Sequence, residues 1–148
     1  MTLTLVPVTD AARAALLAGD ATAAGALVPA AGWPDGDTLT ALRCGTCDRW
    51  VLLDGVVIGA CGVKRVDDDG AAELGWGLVP PVHGRGLGSA TVRLLVADAL
   101  QRSGIASLTA QVDPANSASW RAALGAGFVP AGGDLLVLSP VVQPSTGD

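Results

Sequence analysis

The chain has 148 residues, half of them apolar, with a single lysine and a formal net charge of −5. That length holds one domain with a buried core, and no run of about 18 apolar residues offers a membrane-spanning helix. The acidic balance argues against nucleic acid, whose phosphates demand a basic patch, and suits cationic partners.

Thr2 to Val8 alternates as a short strand. Thr9 or Asp10 caps a helix to about Ala18, and Asp20 caps another to about Leu27. Pro29 to Gly36 is a breaker-rich loop carrying Trp33, and Asp37 caps a short helix over about Thr38 to Arg43. The pattern then turns to strands. Trp50 to Leu53 and Val56 to Val66 flank Asp54-Gly55, a dipeptide that favours a type I′ hairpin turn. Asp67-Asp68-Asp69-Gly70 is a solvated turn that lacks the other ligands of a calcium loop. Ala71 to Val79 closes a three-stranded meander.

After Pro80-Pro81 come three glycines at alternate positions, then the longest helix, Gly86 to about Arg102, with apolar residues at helical spacing. A strand at Ser107 to Val112 follows a helical crossover and so runs parallel to its neighbour. Asp113-Pro114 breaks it, Ser117 to Leu124 is a helix, and Phe128 to Val137 forms two closing strands around Gly132-Gly133. The expected fold class is α+β: a mixed, mostly antiparallel central sheet with flanking helices and one parallel crossover. Residues 1–140 read as one domain and 141–148 as a flexible tail. Met1-Thr2-Leu3 opens no secretion signal, so a cytoplasmic monomer or homodimer is expected.

Cys44-Gly45-Thr46-Cys47 is a lone CxxC. A zinc site would need further ligands at suitable spacing, and a thioredoxin-like pair would open a helix after a strand. Neither condition is met, so the pair reads as incidental, Cys61 reads as a buried strand residue, and no metal is expected.

The segment Val82-His83-Gly84-Arg85-Gly86-Leu87-Gly88-Ser89 carries the strongest chemistry. Glycines admit close backbone approach, and a helix start presents orphan N–H groups at the positive end of its dipole. Together they make a site for phosphate. A Walker A loop is excluded because the segment has no lysine, and the dinucleotide pattern fails because Ser89 or Thr91 stands at its last glycine. Downstream, Asn116, Ser119 and Gly127-Phe128 follow at fixed spacings.

His83-Gly84-Arg85-Gly86-Leu87-Gly88 resembles the Arg/Gln-x-x-Gly-x-Gly/Ala loop of the GNAT family of N-acetyltransferases, with His83 where that family has Arg or Gln. The Asn116, Ser119 and Gly127-Phe128 set, with Trp50 to Gly59 and Glu73 to Trp76, is most similar to the ribosomal-protein-type branch. The resemblance spans about residues 45 to 130. It implies the GNAT fold and acetyl transfer from acetyl-CoA to a primary amine, on a small molecule or a protein N-terminus. Leu78, His83, Gly84, Arg85, Gly86, Leu87, Gly88, Ser89 and Asn116 would then hold the coenzyme. Glu73, the only glutamate, would be the base or else a solvated strand carboxylate. Ser119 would protonate the departing thiolate or else satisfy the helix backbone. The tyrosine that many relatives place seven residues after the Asn is Ala123 here, which keeps a non-catalytic acyl-CoA-binding module as the alternative. His83 would touch pyrophosphate or act as a general base, and Trp33 would line the acceptor side.

Overall fold

The computed structural model describes residues 1–20 and 28–138. The helix expected behind Asp20 and the tail from 141 lie outside the described residues.

Strand β1 (Leu3–Pro7) leads into helix α1 (Asp10–Leu17), where the Thr9 side chain accepts a hydrogen bond from the Ala12 N–H at 3.1 Å. Pro29, expected to begin a loop, instead ends a two-residue strand β2 (Val28–Pro29) that pairs parallel with β4. Helix α2 (Gly36–Cys44) starts earlier than expected. Its cap is Asp35 rather than Asp37, because the Asp35 carboxylate accepts from the Thr38 N–H at 2.8 Å. Strands β3 (Arg49–Leu53) and β4 (Val56–Val66) are joined by Asp54 and Gly55 at φ 50° and 85°, the paired positive φ of a type I′ turn.

Strand β5 (Ala71–Leu78) completes the meander, and a 3-10 turn over Pro80–Val82 precedes helix α3 (Leu87–Leu100). Strand β6 (Ser107–Gln111), helix α4 (Ser117–Gly125) and strands β7 (Val129–Gly132) and β8 (Leu135–Leu138) follow. The sheet runs β1-β3-β4-β5-β6-β8-β7, with β2 beside β4. The expected crossover makes β5 and β6 parallel; the short β2–β4 contact is a second parallel pair.

Alternating apolar residues of the central strands meet the helices in one core, with Trp50, Leu74, Leu95, Leu108 and Leu136 fully buried. The C-terminal end of α3 is tied to the start of β3: Arg102 donates to the Asp48 and Asp98 carboxylates at 2.7 and 2.6 Å, and Arg49 lies 3.4 Å from Asp98. Phe128, between α4 and β7, is buried, and its ring lies 6.5 Å from that of Trp76 on β5. Phe128→Ala is expected to destabilise the fold by about 3–5 kcal/mol. The check is a lower denaturant midpoint with an unchanged m-value.

Candidate active site

Strands β5 and β6 pair only from Ala71↔Ser107 to Leu74↔Ala110. Beyond that point Gln111 pairs with Leu135 of β8, and the Val112 N–H bonds the Asp134 carbonyl at 2.9 Å. Gly75 to Leu78 stay paired with β4 on one side, so their other edge has no strand partner among the described residues. A cleft of about 700 Å³ opens along this edge. An unpaired strand edge of this kind accepts an extended ligand by strand addition.

The glycine loop stands at the end of that edge. Gly84 and Gly86 take φ 78° and 75°, a region closed to most side chains, and so turn the chain sharply into α3. Thr9, Asp35 and Asn116 cap α1, α2 and α4 with a side chain, whereas α3 begins at Gly86 with no side-chain cap. Its first N–H groups are therefore free for an anion at the positive end of a 14-residue helix.

Helix α4 closes the site from the far side. A Cβ on Gly88 would come within 3.1 Å of the Ala122 Cβ, and one on Gly125 would collide with the Ser89 hydroxyl. Arg93 donates to the Gly125 carbonyl at 2.9 Å. This close approach brings Asn116 and Ser119 into the lining of the same cleft. Asn116 accepts from the Ser119 N–H at 3.2 Å, so its carbonyl serves the helix start. No hydrogen bond engages the Ser119 hydroxyl among the described residues, and the side chain is half-buried against the cleft.

Of the residues singled out in the sequence, Leu78, His83, Gly84, Gly86, Gly88, Ser89, Asn116 and Ser119 line this one cleft. Leu87 does not; it is buried and anchors the first turn of α3 in the core. Arg85 points outward, with its guanidinium 3.8 Å from the Met1 sulfur. Glu73 lies outside the lining, held by Arg65 at 3.0 Å and Lys64 at 3.8 Å. Trp33, expected to line the acceptor side, does not line this cleft. It is 6 % exposed and packs edge-on against Trp50 at 5.2 Å, because the loop that carries it folds onto the sheet. Asp35, Asp37, Lys64 and Arg121 line the cleft without a signal in the sequence, since only tertiary contact brings α2, β4 and α4 to one groove.

All three cysteines also line it. Burial pushes the Cys47 thiol up to about 11, and burial raises Cys61 further. Both stay neutral at ordinary pH. The described residues hold no cluster of three or more His, Cys, Asp or Glu fit for a metal ion.

A family model described as "Acetyltransferase (GNAT) domain" matches residues 2–129. The chain belongs to the GNAT acetyltransferase family. No curated protein matches the sequence, but solved structures do share the fold. An aminoglycoside acetyltransferase AAC(6′)-Ib in complex with coenzyme A and kanamycin matches with TM-score 0.66 at 19 % identity, over 94 % of this chain and 95 % of that one. RimJ of Mycobacterium smegmatis, in complex with a coenzyme A disulfide, matches with TM-score 0.66 at 19 % identity, over 97 % and 85 %. RimL, a ribosomal L7/L12 α-N-protein acetyltransferase in complex with coenzyme A, matches with TM-score 0.65 at 18 % identity, over 94 % of each.

In this GNAT chain the position that resembles the family's tyrosine, Ala123, is fully buried, and its carbonyl accepts the Phe128 N–H at 3.1 Å. No described helix is long and apolar enough to cross a membrane. The thiols yield a prediction. Exposed Cys44 reacts with a thiol reagent in the native protein, while Cys47 and Cys61 react only on unfolding, which mass spectrometry resolves. Above about pH 9 the unfolded chain loses thiol protons that the folded chain keeps. Native stability therefore falls as pH rises from about 9 toward 11, measurable by denaturant titration.

Proposed function

We propose that the chain transfers the acetyl group of acetyl-CoA directly to a primary amine, on a protein N-terminus or a small molecule. One observation carries this reading: the uncapped start of α3 is continuous with the unpaired edge of β5 inside a single cleft. That surface suits a ligand with a phosphate at one end and an amide-bearing arm leading away from it. Coenzyme A has that form, and neighbours of the same fold are described in complex with it.

Gly84, Gly86, Leu87, Gly88 and Ser89 would give the pyrophosphate their backbone N–H groups, with Arg85 adding long-range positive charge. Leu78 and its neighbours on β5 would give backbone groups to the pantetheine amides. A direct attack needs a neutral amine. Held by Arg65 and Lys64, Glu73 would take the amine proton through water beside Lys64 rather than by contact. The free Ser119 hydroxyl would meet the departing thiolate. Cys47 and Cys61, kept protonated by burial, are poor acyl relays, which favours transfer in one step.

Asp35 and Asp37 lie on the α2 side of the cleft, away from the loop residues in sequence, and favour approach of a cation. Both acceptor classes named for the neighbours, an aminoglycoside and a ribosomal-protein N-terminus, are amines.

The test is release of coenzyme A thiol from acetyl-CoA against a panel of aminoglycosides, polyamines and N-terminal peptides. Release that depends on an amine is expected; binding of coenzyme with no release across the panel overturns the transfer. Glu73→Gln is expected to lower kcat by about 10²-fold with coenzyme affinity unchanged. An unchanged kcat removes Glu73 from the role of base.

A further inference from the structure

The single histidine, expected at the pyrophosphate, reaches the end of β5 with its ring. His83 Nε2 lies 2.7 Å from the carbonyl oxygen of Leu78. A carbonyl only accepts, so Nε2 carries a hydrogen and donates it. Leu78 is the last residue of β5, on the stretch whose outer edge is unpaired.

Strand alternation shows which edge this carbonyl belongs to. The N–H of Val79, the next residue, bonds to Ile58 of β4 at 2.8 Å. Successive residues of a strand direct their backbone groups to opposite sides, so Leu78 and Trp76 turn theirs toward the cleft. An amide-bearing ligand laid on this edge could use the Leu78 N–H, the Trp76 N–H and the Trp76 carbonyl. The Leu78 carbonyl, nearest the phosphate loop, is already engaged by the imidazole.

We infer that His83 is a positioning residue that sets the register of the coenzyme's amide arm on β5. By occupying one lone pair and one approach to the Leu78 carbonyl it leaves Trp76 as the first wholly open acceptor for a ligand N–H. The inference rests on the proposal that the loop and edge bind coenzyme A. Consecutive outward-facing carbonyls of a strand stand roughly 7 Å apart. An arm anchored by its phosphates and shifted even partway toward Leu78 would draw the thioester back from the amine. A misplacement of about 1 Å can already cost 10²-fold in rate. His83 thus acts on where the thioester lies rather than on how tightly the coenzyme binds.

Three proteins decide it: the wild type, His83→Ala and His83→Gln, the last keeping a side-chain N–H donor. Coenzyme A binding is measured by calorimetry, and turnover with saturating acetyl-CoA and the best amine of the panel. Expected is an Ala variant that binds coenzyme A within about threefold of wild type yet loses about 10- to 100-fold in kcat, with Gln restoring most of it. A His83→Ala variant with weakened binding and an undiminished kcat would make His83 a plain phosphate contact and overturn the inference. So would loss of kcat that Gln does not restore. The imidazole ¹⁵N shifts give a readout independent of turnover: Nε2 is expected to bear its hydrogen both free and with coenzyme A bound. Departure of Nε2 from the carbonyl on binding overturns the inference as well. If wild-type protein does not bind coenzyme A, the underlying proposal has failed, a result distinct from each of these.

Discussion

Between Leu74 and Gly75 strand β5 gives up its parallel partner while keeping its antiparallel one. Strand β6 turns away because its far edge is already engaged by β8, and because Asp113-Pro114 ends it with a residue that has no N–H to donate. β5 is left in the sheet with one row of backbone groups facing a cleft. Such an edge ordinarily invites aggregation. Here it is short, lines a cleft with α4, and is bounded by a loop that favours anions, so the same surface offers a template suited to an extended ligand. The rings of Trp76 and Phe128 pack on one another beside this opening.

Helix α3 holds the two halves of that template in register. At its C-terminal end Arg102 bridges Asp48 and Asp98, tying the helix to the start of β3. Partly exposed ion pairs add little to stability one by one. Here one guanidinium shared by two carboxylates joins the end of the helix to the residue before β3. At the N-terminal end small residues do the work: Gly88 against Ala122, and Gly125 against Ser89, admit α4 to close range. The other described helices satisfy their first turns with Thr9, Asp35 and Asn116. Among the described α-helices only α3 has a first turn without a side-chain cap, and that turn lines the cleft at the end of the unpaired strand edge.

Charge is distributed along the cleft to match. An uncapped helix start stands at the loop, carboxylates stand on the α2 side, and burial keeps the Cys47 and Cys61 thiols neutral. Glu73 is the exception. Its two cationic partners hold it outside the lining of the cleft.

Much of this was legible in the residues. The alternation of β3 to β5, the Asp54-Gly55 turn, the Thr9 cap and the glycine loop are local. Each depends on torsional preference or on a hydrogen bond spanning a few residues, and these act the same way wherever the segment lies. The parting of β5 from β6, the ion pairs of Glu73, the burial of Trp33 and the α2 wall of the cleft were not legible. They depend on which distant segments meet, as when β8 claims the far edge of β6 or Arg65 finds Glu73 across a hairpin. The cap of α2 lies between the two cases: both Asp35 and Asp37 suit the role, and the register of the folded chain chose Asp35. His83 shows the same division. Its place in the loop was written in the sequence, but the direction of its ring depends on where β5 ends, because a side-chain donor turns to whichever carbonyl the fold leaves open.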